Sequence, residues 1–535
     1  MDVRTGQNQM LARSQEPDPP CSVHPWHTEG HGDCVLKIRL QDNAAITSGV
    51  VNADWTWFQL LTMVAGLYAL SIAVFLVLEN RSPQSTFAWL FLMLAFPVGG
   101  LVVYTLFGRG WKAFSRKDQL HTLTEGSSLA DRRTALLERQ PGILDALSNN
   151  GVGEYGRLAH MLWASARAPV TLANQLTILR NASEKYPRLV EDMRAASESI
   201  HLLYYEWASD SFTEAVGRVL AEKVASGVEV RILYDPIGSL MMLSRKYVHR
   251  MRNAGVQMHP YSPLYLLHTI SYRSHRKIAV VDGRIGYSGG LNMTEQHLTG
   301  PAGFSGWRDT HARVTGEAAL PLQAVFLTMW YNTTGQNLFE ERYFPTPKGG
   351  SPTLPIQVVS AGPDSQWKAI RQSYMAMVAL AHRHVYLQSP FLIPDDSLAE
   401  VMKAAALAGI EVVVMIAPRG GEGQLAYRAG MTYARDLAEA GVRVLLYQGA
   451  YFHAKTVCVD STICCIGSAN MDIRSFSINY ETNLVVYDEA VTRELEAAFQ
   501  QDMRHCVEFS TAEYDGRPGG TRLLDSVMRL CSPLL

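Results

Sequence analysis

Apolar residues follow two different rhythms along this chain. Near the front, Trp57 to Leu78 and Phe87 to Phe107 run without a single charge. Each is about twenty residues long, enough to cross a ~30 Å hydrocarbon core. The connector Glu79-Asn-Arg81-Ser-Pro83-Gln-Ser-Thr86 leaves room only for a hairpin. Pro97 and Gly99-Gly100 predict a kink and close helix packing in the second span. Arg109, Lys112, Arg116 and Lys117 follow at once, against Arg81 alone in the connector, so both hairpin ends are expected on the cytoplasmic side. The same basic residues would attract anionic lipid headgroups.

From about residue 171 the rhythm shortens and then repeats. Ile200–Tyr205 matches Val385–Pro390, and Gly227–Tyr234 matches Gly409–Ile416, each at an offset of about 180 residues. These short β-branched runs read as strands, with amphipathic helices such as Thr213–Ala225 and Ser397–Ala408 between them. The predicted fold is α/β: two tandem halves, 171–345 and 346–535, each a mixed β-sheet flanked by helices. The two sheets are expected to meet with their repeated segments face to face. Ahead of them come a polar, disordered tail (1–54), the transmembrane hairpin (55–108, with spans 57–78 and 87–107) and a linker (109–170). Within the linker, Tyr155–Trp163 has helical spacing and would cap the core or lie in the membrane interface.

Composition narrows the class. The 535 residues are 47 % hydrophobic with a formal charge of −2, ample for a duplicated core and unlike a general nucleic-acid binder. The seven cysteines are scattered and suggest no disulfide framework; Cys458, Cys464 and Cys465 sit in strand runs and read as reduced core residues. Cys21, His24, His27, His31 and Cys34 suggest zinc, but their spacing fits no closed structural site, so they are read as tail. No metal or other cofactor is expected.

The repeat also carries chemistry. Residues 275–292 read His275-x-Lys277-x4-Asp282-x6-Gly289-Gly290-x-Asn292, and 453–470 read His453-x-Lys455-x4-Asp460-x6-Gly467-Ser468-x-Asn470, gap for gap. Residues two apart on a strand leave the same face, so each half presents an imidazole and an ammonium together. The glycines let backbone approach a ligand, and Asn292 and Asn470 add amide donors. Together the halves suit a tetrahedral anion. Asp282 and Asp460, at strand ends, either join the catalytic set or only hold turns.

The chain therefore resembles the phospholipase D superfamily, and its surroundings resemble bacterial cardiolipin synthases. The resemblance rests on the two motifs, on Trp307-Arg308-Asp309-Thr310-His311, on Asn470-Met-Asp472-Ile-Arg474-Ser475-Phe476 and on Asn479-Tyr-Glu481-Thr-Asn483. Tyr234-Asp235-Pro-Ile-Gly238-Ser239 and Pro390-Phe391-Leu-Ile-Pro394-Asp395 add to it. It implies a membrane enzyme that moves a phosphatidyl group from one phosphatidylglycerol to another. His275 would be the nucleophile and His453 the general acid and base, with Lys277, Lys455, Asn292 and Asn470 on the phosphate oxygens. Glu481, 28 residues after His453, is assigned to orient it, and Asp309 is assigned to His275. Phe391-Leu392 and Gln448–Phe452 depart from the family pattern and are expected to line the acceptor pocket. A phospholipase D using water or small alcohols is the alternative, and a superfamily nuclease a weaker one. A catalytically dead anchor would need a damaged motif, and both are intact.

Overall fold

A computed structural model describes residues 44–79, 83–104, 108, 128–149, 153–262, 271–346, 353–418 and 424–534. The Cys/His group of residues 21–34 and the basic residues 109–117 lie outside these. The first helix spans Ala44–Leu78, so it begins well before Trp57, and residues 44–54, expected as tail, are helical. No charge interrupts 44–53, and a helix once nucleated propagates cheaply into such sequence. Its stretch Thr56–Leu78, 23 residues, is the one described helix long and apolar enough to cross a membrane. The second expected span is broken: Pro83–Ala95 ends at Phe96, and Pro97–Val103 restarts beyond it. Pro97 has no N–H to give and crowds the preceding turn. Gly100 permits the break, since a Cβ there would lie 2.8 Å from Leu92 O.

The remainder, Phe91 onward, forms one compact unit. Its first half supplies β1 (Val170–Arg180), β2 (Ser199–Tyr204), β3 (Glu229–Tyr234), β4 (Gln257–Pro260), β5 (Ile278–Val281), β6 (Ile285–Gly289), β7 (Trp307–Arg308) and β8 (Thr310–Gly316). The second supplies β9 (Thr353–Ala361), β10 (His384–Gln388), β11 (Leu392–Ile393), β12 (Glu411–Ile416), β13 (Arg443–Tyr447), β14 (Tyr451–Phe452), β15 (Thr456–Val459), β16 (Ile463–Gly467), β17 (Met471–Asp472), β18 (Glu481–Val486) and β19 (Cys506–Glu508). Fifteen strands form one sheet, ordered β4-β3-β2-β5-β6-β8-β1-β9-β18-β16-β15-β10-β12-β13-β19. The order is the same outward from the centre on both sides, apart from the added β19.

Each half forms its own mixed sheet as expected, and their motif-bearing strands share one core, but the two sheets are also continuous. The halves join edge to edge through antiparallel pairing of β1 with β9, with Thr171 opposite Ile356. An edge strand carries unpaired donors and acceptors, and each half satisfies the other's. Asn174 tightens the seam, its amide donating to Leu354 O at 2.9 Å and to Thr171 O at 3.0 Å. The motif strands β5 and β15 are buried at every residue, as their continuous apolar runs require. The segment Gly156–Ala166 is a helix whose Leu158 and Leu162 pack in the second half's core. Cys458, Cys464 and Cys465 are buried and free.

Asp282 and Asp460 hold turns. Both have φ near +50°, at the hairpins leading from β5 to β6 and from β15 to β16. The Asp282 carboxylate accepts from the backbone N–H groups of Ser197, Glu198 and Ser199 at 2.8 to 2.9 Å. That of Asp460 accepts from His382, Arg383 and His384 at 2.6 to 2.8 Å, and from the Tyr155 hydroxyl. Each sits at the far end of the strand from its motif histidine, so including them among the catalytic groups is corrected. Asp460→Ala should orphan those donors, costing roughly 2–4 kcal/mol and lowering the melting temperature of the solubilised protein. An unchanged melting temperature with lost turnover would return Asp460 to the chemistry.

Candidate active site

Two short cross-connections build the site. Beside β5, the backbone of Arg273–His275 runs along Tyr480: Tyr480 N donates to Arg273 O at 2.9 Å, and His275 N donates to Tyr480 O at 3.0 Å. Beside β15, β14 pairs with β7, and His453 N donates to Arg308 O at 2.8 Å. Each motif histidine is therefore fixed against the residue just before the other half's carboxylate. His275 Nδ1 lies 2.9 Å from Glu481 Oε1, and His453 Nδ1 lies 2.7 Å from Asp309 Oδ2.

The pairing expected from sequence is reversed: Glu481 serves His275, and Asp309 serves His453. Nor does Glu481 lack a counterpart. Asp309 stands at the entry to β8 as Glu481 stands at the start of β18, and these strands occupy equivalent places in the sheet. A longer excursion after β6, containing the helical turn Gln296–Thr299, shifts Asp309 to 34 residues beyond His275 and hides the match. The Gly290/Ser468 difference follows from the acids. A Cβ on Gly290 would fall 2.0 Å from Asp309 Oδ1, whereas Ser468 Oγ donates to Glu481 Oε2 at 2.5 Å.

With Nδ1–H donated to a carboxylate, each imidazole keeps its Nε2 for chemistry. The lysines lie beside them, Lys277 Nζ donating to His275 O at 2.6 Å and Lys455 Nζ to His453 O at 2.5 Å. Burial pushes Lys277 down to about 8 against the pull of Glu481, Glu206 and Asp309. Burial likewise pushes Lys455 down to about 7, opposed by Asp309 and reinforced by Lys277. His275 is pushed down to about 4 by burial, partly offset by Glu481, and Lys455 acts on it across the halves. His453 is held well below its ordinary value by burial, with Lys455, Lys277 and His275 adding to the shift. The six groups share one electrostatic environment. Its carboxylates differ: Glu481 is held low by His275, Lys277 and Ser468 despite its burial, whereas burial raises Asp309 despite Lys455.

The asparagine amides are partly committed. Asn292 Nδ2 donates to Glu206 Oε2 at 2.8 Å, and Asn470 donates to Asp472. One N–H of each remains for a ligand. Tyr451 and Phe452, expected in an acceptor pocket, instead form β14 and hold His453 in place; Leu392 is buried in β11. Sequence reading missed Tyr205, whose ring meets His275 edge-on at 5.0 Å, and His297, stacked on Trp307 at 3.9 Å. It also missed Arg276, which donates to Thr482 Oγ1 and Ala361 O and so ties the segment entering β5 to β18 and β9. A buried arginine inside the motif was the available signal. Among the described residues no group of three His, Cys, Asp or Glu side chains is arranged to hold a metal.

Two imidazole–carboxylate pairs flanked by lysines, on a duplicated α/β sheet, define a phosphodiester-transfer enzyme of the phospholipase D class. The model of the cardiolipin synthase, PLD-like domain matches residues 189–308 and 374–503, and that of the phospholipase D-nuclease N-terminal region matches 67–109. A cardiolipin synthase of Geobacillus thermodenitrificans is 36 % identical over 481 residues, covering 87 % of this chain and 91 % of its own. One of Listeria monocytogenes is 35 % identical over 484 residues, covering 89 % and 99 %. The chain belongs to the bacterial cardiolipin synthase family. Its fold is also similar to that of phosphatidylserine synthase from Haemophilus influenzae, with TM-score 0.57 at 13 % identity, covering 71 % of this chain and 99 % of the other.

If Lys455 holds the phosphodiester as a cation, kcat/KM should fall as pH rises through about 7. In Lys455→Arg this alkaline limb should move up to about 8, where Lys277 loses its proton, since guanidinium stays charged. A pH profile measured on lipid micelles checks it.

Proposed function

We propose that this protein synthesises cardiolipin by transferring a phosphatidyl group between two phosphatidylglycerol molecules. The observation that carries this reading is the pair of histidines, each oriented by a carboxylate from the other half and flanked by a buried lysine. His275 Nε2 attacks phosphorus, the P–N bond forms and the P–O bond to glycerol breaks. His453 gives its Nε2 proton to the departing oxygen. The incoming hydroxyl of a second phosphatidylglycerol returns that proton to His453, attacks phosphorus and releases His275. Lys277, Lys455 and the free N–H groups of Asn292 and Asn470 hold the non-bridging oxygens. Glu481, ionised and doubly hydrogen-bonded, suits the histidine that carries the phosphoryl group. Asp309, whose proton affinity is raised, suits the one that shuttles a proton.

Both substrates are lipids, which accords with the apolar helix Thr56–Leu78. The interrupted helices Pro83–Ala95 and Pro97–Val103 complete a two-pass hairpin in this reading. The catalytic unit then faces the cytoplasm from the inner membrane, since the basic cluster after the hairpin favours that side.

Reconstituted with phosphatidylglycerol bilayers, the protein should yield a tetra-acyl lipid and glycerol in equal amounts; phosphatidic acid as the main product would favour the hydrolytic alternative. His453→Ala should accumulate phosphatidyl-protein on His275. Adding Asp309→Asn should leave that burst unchanged, while adding Glu481→Gln should slow it by roughly 100-fold or more. Quench-flow with radiolabelled lipid reads both.

A further inference from the structure

Among the buried polar atoms beside the two dyads that have no hydrogen-bond partner is His297 Nε2. His297 is fully buried, and its Nδ1 accepts from Asn292 N at 3.1 Å, so the neutral ring carries its proton on Nε2. Burial, with His453 adding to it, holds His297 well below its ordinary value and keeps it neutral. Yet Nε2 has no hydrogen-bond partner, an expensive state for a buried donor. Glu206 Oε2 lies 4.0 Å from it. A hydroxyl oxygen about 2.8 Å from both atoms would fit at the corner of that gap, accepting from His297 and donating to Glu206.

The location is specific. The His297 ring lies 6.1 Å from that of His453, the imidazole assigned to exchange a proton with the alcohol, and Trp307 packs against both at 3.9 and 5.1 Å. Glu206 lies two residues beyond β2, and its side chain is 22 % exposed. In the second half Phe391 follows β10 in the place of Glu206, and the short helix after β16, Ile473–Ser477, carries Ser475 in the place of His297. An imidazole and a carboxylate thus stand on one side of an otherwise two-fold site, where the other side has the Ser475 hydroxyl and the Phe391 ring.

We propose that Glu206 and His297 bind a second hydroxyl of the alcohol exchanged at phosphorus, making them specificity-determining residues for a vicinal diol such as the glycerol headgroup. His297 Nε2–H donates to the hydroxyl next to the reacting oxygen, and the Glu206 carboxylate accepts its proton in a hydrogen bond. The reacting oxygen is thereby placed at His453. This rests on the phosphatidyl-transfer reading above and adds the group that the enzyme recognises in its headgroup.

The test compares two donor lipids with full-length protein in mixed micelles: phosphatidylglycerol and phosphatidylpropanol, which has three headgroup carbons and no further hydroxyl. Release of the headgroup alcohol is followed for each. The wild type should prefer phosphatidylglycerol in kcat/KM. Glu206→Gln and His297→Phe should reduce that preference by roughly tenfold to a hundredfold, the reach of one hydrogen bond to a charged group, mainly by slowing phosphatidylglycerol. Glu206→Asp, which keeps the charge on a shorter arm, should give an intermediate ratio and guards against a misfolded variant. If both donors slow equally, Glu206 merely positions Asn292 and the proposal is overturned; an indifferent wild type overturns it too. The acyl product of the wild type, tetra-acyl lipid or phosphatidic acid, judges the transfer reading separately from this ratio.

Discussion

Everything in the site depends on two backbone hydrogen bonds that cross between the halves, from His275 to Tyr480 and from His453 to Arg308. Each places a motif histidine at the start of the other half's strand, where a buried carboxylate waits. An imidazole ring can rotate, and only a partner at Nδ1 fixes which nitrogen meets the phosphorus. The chemistry is therefore set by main-chain geometry, and side chains inherit it. Arg276, Ser468 and the β1–β9 seam all serve to hold that geometry still.

The buried charges are balanced but incompletely. Lys277 and Lys455 stand buried with Glu481 and Asp309, and burial weakens the hold of both lysines on their protons. A bound phosphodiester would supply the missing negative charge and restore them. The lysine donors are thus preorganised for the negative charge of the transition state.

Much of this was legible in the chain. The gap-for-gap repeat located both histidines, both lysines and both asparagines, because strand chemistry is local. The α/β duplication followed from the offset of about 180 residues between halves. What local spacing could not reveal was partnership across the two-fold relation. Glu481 lies nearer His453 in sequence but nearer His275 in space, since antiparallel β16 and β18 carry it away from its own motif. The few extra residues around Gln296–Thr299 also concealed Asp309 as its equivalent. Asp282 and Asp460 misled in the other direction, since a motif position held by backbone donors reads the same in sequence as one held for catalysis. The break at Pro97 was foreseen as a kink, but its depth depends on Gly100 meeting Leu92, a contact between turns.

The edge-to-edge seam has a further consequence for how such a chain can change over time. A free half would present an open sheet edge and a histidine with no acid, so neither copy could be improved or tested by selection on its own. Substitutions in one copy are felt first in the other copy's catalysis. The two copies are bound to diverge as a pair, and differences such as Glu206 opposite Phe391 can accumulate only outside the shared contacts.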